Sequence, residues 1–146
     1  MPLSTVARNS LLDLLFLNVD WANIGDASGL QNSAVAGSFY VALHTADPGV
    51  GGTQATNEVA YTNYARVAVA RTSGGFSRTG NVISNTALVQ FPTCGVTGAT
   101  ATHWSVGVAS AGATDIVLSG ALGSSLAIAN TIQPQFAIGA LTASAV

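Results

Sequence analysis

The chain has 146 residues, enough for one domain of ordinary size, and only 7% of them are charged, against about a quarter in an average globular domain. Four arginines, no lysine and a formal net charge of −2 leave no basic stripe for phosphates, which excludes nucleic acid as the main partner. Cys94 stands alone, so neither an internal disulfide nor a cysteine metal cluster is expected.

The stretch "STVARNSLLDLLFLN" at residues 4–18 reads as the one helix, with Ser4 or Thr5 as its N-cap. Leu11, Leu14 and Leu15 share a face, while Leu12 and Phe16 broaden the apolar stripe almost around the cylinder. Such a helix belongs against a sheet or a neighbouring subunit. The apolar run from Leu11 to Val19 is too short to span a bilayer and contains Asp13, so neither a membrane span nor a signal peptide is expected. Between Val19 and Ser33, "DWANIGDASGLQNS" has no period and reads as a long loop. Its Trp21 is either a lid on the domain's own core or an anchor into another subunit.

From Ala34 onward the pattern is that of strands. "FYVALHTA" alternates Phe39, Val41 and Leu43 with Tyr40, Ala42 and His44. "EVAYTNY" and "ARVAVAR" follow as strands, the second with Val67 and Val69 inward and Arg66 outward. "FSRTGNVIS" forms two short strands around Thr79-Gly80-Asn81. "ALVQFP", "HWSVGVA" (Trp104, Val106 and Val108 on one face), "DIVLSGAL", "LAIA" and "PQFAI" complete the set, with "TCGVTGAT" as loop. Short strands separated by turn signals predict an all-β jelly-roll or β-sandwich domain preceded by one N-terminal α-helix. Residues 1–33 are the helix and extended loop and 34–146 the β-sandwich, a single domain overall with no internal repeat.

The densest cluster of reactive side chains is "LHTADPGVGG", residues 43–52. Each residue in it has a structural reason to be there. Asp47 accepts backbone N–H bonds in an Asx-turn, Pro48 fixes φ, and Gly49 permits a positive φ. His44 and His103 are the only imidazoles and lie in no metal-binding spacing. There is no Gly-x-Ser-x-Gly elbow, no phosphate-cradling loop, and the six carboxylates are scattered. No catalytic residue, metal or cofactor is therefore expected.

So little charge leaves strand edges without their usual guard, which predicts association into dimers or trimers. Arg66, Arg71 and Arg78 fall within one strand–turn–strand stretch. They are either solvated decoration, with Arg66 pairing to Glu58, or a contact patch for an acidic neighbour. Trp21, Leu11 and Leu15 together with these three arginines are the candidate interface residues.

"ARNSLLDLL", "VALHTADPG", "TQATNEVAYTNYARVAVAR" and "ATHWSVGVAS" resemble a family of small tailed-bacteriophage structural proteins over most of residues 5–129. The pattern is also similar to jelly-roll cement (decoration) proteins of phage heads. The resemblance implies a non-enzymatic virion protein, made in the bacterial host cytoplasm and bound to the capsid surface. Its partners would be the major capsid protein and copies of itself, with neither nucleic acid nor membrane. The alternative is a tail-fibre or baseplate domain that binds a host-surface glycan, for which Tyr61, Asn63 and Tyr64 would supply a platform.

Overall fold

A computed structural model describes residues 2–145. Helix α1 spans Thr5–Leu12 and runs into a π-helical turn, Asp13–Leu17. The strands are β1 (Ser38–His44), β2 (Val67–Ala70), β3 (Phe76–Thr79), β4 (Val82–Asn85), β5 (Val89–Gln90), β6 (Ala99–Gly107), β7 (Ile116–Ile128), β8 (Gln135–Phe136) and β9 (Thr142–Ser144). They form sheets of order β2-β1-β6-β7, β3-β4-β9 and β5-β8. The chain is thus all-β with one N-terminal helix, and it has the several antiparallel sheets that a β-sandwich requires. Its contacts define two interleaved units, one made of residues up to 38, 70–88 and 137 onward, the other of 39–69 and 89–136.

In the first unit Ser4 caps α1, its hydroxyl accepting from Ala7 N at 3.2 Å. Leu12 and Phe16, four residues apart, are the buried pair. Leu11, Leu14 and Leu15 are only half-buried, which corrects the expected inward face. The π-helical turn widens the spiral after Leu12, and Phe16 meets Phe76 edge to face at 5.1 Å. Asn18, at φ 55, ends the helical segment. Two carbonyls left open there are taken up by Arg71, which donates to Leu15 O at 2.6 Å and Leu14 O at 2.9 Å, and it also reaches Ala36 O at 3.1 Å. Arg78 holds Asp13 with two bonds of 2.5 and 2.9 Å, and that partner raises its pKa above the ordinary guanidinium value.

The loop after the helix is irregular, as its composition requires, yet closed on itself. Trp21 and Leu30 exchange two backbone bonds of 2.9 Å, and Asp26 accepts from Ser28 N and Gly29 N. Trp21 itself is half-buried. The β3–β4 hairpin forms where expected, with Gly80 at φ 60 in the first of two turn positions. Strand β9, whose small residues give little sequence signal, pairs with β4. Asn85 at the end of β4 is buried and saturated, donating to Ala87 O at 2.8 Å and Ala137 O at 2.9 Å and accepting from Leu141 N at 2.9 Å.

In the second unit β1 is buried on both faces, Val41 and Leu43 on one and Ala42 and His44 on the other. Trp104 and Val106 of β6 are also buried, but Val108 lies beyond the strand and is exposed. The Trp104 indole lies over Gly120 of β7, where an added Cβ would come within 2.9 Å of the ring.

Two strand expectations are corrected. "EVAYTNY" forms no strand, because Tyr61–Tyr64 makes a turn with Asn63 at φ 77 and only Glu58 bridges to His44. "DIVLSGAL" and "LAIA" join in one 13-residue strand, β7, because the glycine and serines between them are absorbed as a bulge.

Asn85→Ala removes three bonds and strands backbone groups inside the first unit, so we expect a loss of roughly 2–4 kcal/mol in urea unfolding, with Asn85→Asp also destabilising because it cannot donate.

Candidate functional site

The 43–52 stretch folds as its residues dictate. Asp47 Oδ1 accepts from Gly49 N at 2.8 Å and Gly49 has φ 71, a turn made by local chemistry alone. His44 at the end of β1 is fully buried opposite His103 of β6. Its Nδ1 lies 2.8 Å from Thr56 O, and a carbonyl only accepts, so Nδ1 carries the proton. Nε2 then accepts from Ser105 Oγ at 2.8 Å. Both nitrogens are used, and burial lowers the pKa below the ordinary 6.5 despite the favourable bond to Thr56 and the Glu58 charge. His44 is a neutral core group with no capacity left for a substrate proton.

The polar centre of this unit is Arg66. The expectation placed it outward; its side chain is 2% exposed. Val67 is half-buried and Val69 buried, so the alternation shifts around the guanidinium. Glu58 accepts from Nε at 2.7 Å and from Nη2 at 2.8 Å. Nη2 also donates to Gly112 O at 2.8 Å, and Nη1 to Ala109 O at 3.0 Å and to Gln54 Oε1 and Thr114 Oγ1 at 3.3 Å. All five donors of the fork have acceptors, the arrangement for which arginine is better suited than lysine. The bonds to Glu58 raise the Arg66 pKa further.

Three residues complete the network. Tyr64 donates from its hydroxyl to Glu58 Oε1 at 2.8 Å and accepts from Leu43 N at 3.2 Å; burial pushes its phenol well above the usual range. Gln54 is wholly buried, donates to Tyr40 O at 2.9 Å and accepts from Thr114 Oγ1 at 3.0 Å. Gly107 permits this, since a Cβ there would fall 2.1 Å from Gln54 Cδ. Gln54 had no sequence signal, lying in an aperiodic polar run. Beside the network a recess of about 260 Å³ is lined by Glu58, Tyr64, Ala65, Arg66 and the Ser110–Gly112 loop.

The residues expected to matter are therefore dispersed. Arg66 belongs to the second unit, whereas Arg71, Arg78, Trp21, Leu11 and Leu15 belong to the first. Of the suggested aromatic platform, Tyr61 is buried; its hydroxyl donates to Pro92 O at 2.8 Å and burial pushes its pKa up to about 12. Tyr64 is half-buried and Asn63 exposed. Among the described residues no group of three or more His, Cys, Asp or Glu side chains is placed to hold a metal ion, and no helix is long and apolar enough to cross a membrane.

The polar centre of this all-β chain fastens its own loops, and both nitrogens of its buried imidazole are bonded within the fold. The chain matches the family described as podophage GP4 fiber I protein gp80 over residues 2–144 and belongs to it, which makes it a member of a tailed-phage structural protein family. No curated protein matches it.

Glu58→Ala leaves the Arg66 guanidinium buried without its counter-charge, so we expect a loss of about 3–5 kcal/mol in chemical denaturation; a change below about 1 kcal/mol would show that the pair is not needed. For His44 the sign follows from its lowered pKa. The unfolded chain takes up a proton near pH 6.5 that the fold refuses, so stability from this group is full above that pH and falls as the pH drops below it. Unfolding midpoints at about pH 7.5 and about pH 5.5 should differ more for the natural chain than for His44→Gln.

Proposed function

We propose that this chain is a fibre component of a podophage virion and takes part in binding the host surface. The family match over residues 2–144 carries this reading, and it favours a tail position over the capsid-cement role. The mechanism is structural: a rigid β-scaffold holds surface loops in fixed positions, and no bond is made or broken. We place the sugar in the recess beside Tyr64, which joins an aromatic ring, the Glu58 carboxylate and the Ser110–Gly112 loop. Self-association belongs to the same reading, because multivalent attachment amplifies weak single contacts. Trp21, Leu11 and Leu15, which all keep part of their surface open, are the residues we propose for contacts between copies.

The test is the copy number per purified particle, by quantitative mass spectrometry. Between a few and a few dozen copies is the expected outcome; hundreds would return the protein to the capsid surface, and absence would refute any virion role. Glycan binding is tested with an array and the Ala111→Trp variant. That change fills the recess while leaving the backbone carbonyls held by Arg66 in place. Specific, saturable binding lost in the variant is expected; binding that survives it would move the site elsewhere.

A further inference from the structure

Strands β2 and β7 are the edges of the four-stranded sheet. They differ in kind. β2 has four residues and is bracketed by Arg66 and Arg71, whereas β7 has 13. Asp115, immediately before β7, is the last charged side chain of the sequence given, so no side chain from Ile116 onward carries charge. Natural edges are normally guarded by lysine, proline, an inward-pointing charge or a β-bulge; β7 has no charge and no proline, and its only guards are two register irregularities.

Two irregularities divide the edge. Val117 is an extra residue opposite the Val106–Gly107 step, and Leu122–Ser125 are four residues set against Thr102 alone. Between them Leu118–Ala121 pairs one for one with Val106–His103. On its outer side this run makes no backbone hydrogen bond to another described residue. Ser119 and Ala121 are exposed and small, while Gly120 lies under Trp104. The run is a short, uncharged row of backbone donors and acceptors bounded at both ends.

We propose that this edge pairs antiparallel with the same edge of a second copy, joining two four-stranded sheets across a two-fold axis. This rests on the self-association proposed above and gives it a second surface, apart from Trp21, Leu11 and Leu15. A two-fold axis perpendicular to the sheet sets one residue of the run opposite itself, so each donor of one copy meets an acceptor of the other. The absence of charge selects the occupant. Two copies brought edge to edge meet no like-charge repulsion, and a charged partner finds nothing to pair with. The bulges fix the register, which alternation alone would leave loose in so small-sided a strand.

The experiment is sedimentation equilibrium of the full chain and of two variants, Ser119→Lys and Ser119→Glu. The natural chain should be a dimer. Each variant should dissociate roughly tenfold more readily or worse, because its new charge lies beside its own copy. An equimolar mixture of the two should re-form a dimer, which also shows that both are folded. Hydrogen exchange should slow at the amides of residues 118–121 as dimer forms. An oligomer indifferent to both variants would overturn the edge and leave self-association standing; a monomeric natural chain would overturn both; a trimer would overturn the two-fold pairing.

Discussion

The second unit depends on Arg66 and Glu58. A guanidinium almost sealed from water is tolerable only when its charge and every N–H are answered. Here one carboxylate supplies the charge and two bonds, and Gln54, Thr114 and two backbone carbonyls take the rest. The consequence is organisational. The turn after β6, the segment carrying Gln54 and the approach to β2 are distant in sequence, yet all converge on one side chain whose planar fork allows little freedom. Remove the fork and the loop at Ser110–Gly112 has few other ties.

The same logic accounts for the sparse charge. Arg71 closes the end of the helical segment through carbonyls, Arg78 grips Asp13, and Arg66 sits inside. Three of the four arginines are therefore fasteners between segments, which leaves the surface to small polar and apolar side chains. Val35, Val50 and Val96 stand almost fully open on that surface, which is one ground for the self-association proposed above. A freely diffusing monomer would be expected to carry more surface charge.

Much of the architecture was legible because it is written in local chemistry. The cap at Ser4, the Asp47-Pro48-Gly49 turn and the Gly80 hairpin each follow from one or two residues whose preferences leave little choice. Where tertiary context decides, local sequence does not carry the answer. The periodicity around Arg66 marked an outward position because arginine is usually solvated, and only a distant Glu58, Gln54 and Gly112 make burial possible. Tyr61 and Tyr64 read as strand aromatics, but Asn63 in a left-handed conformation turns the backbone and sends Tyr61 into the core. The split between "DIVLSGAL" and "LAIA" came from residues that look like a turn and are in fact a bulge. None of these exceptions has a local signal.

The placement of the two tryptophans has a practical consequence. Trp21 lies half-buried in the looped segment of the first unit, and Trp104 is buried over Gly120 in the second. Each unit therefore carries its own indole, in surroundings of different polarity. Different exposure gives the two indoles different emission maxima in principle, and a chain retaining a single tryptophan would report the melting of one unit at a time. The molecule comes with an intrinsic optical means of asking whether its two interleaved halves come apart together.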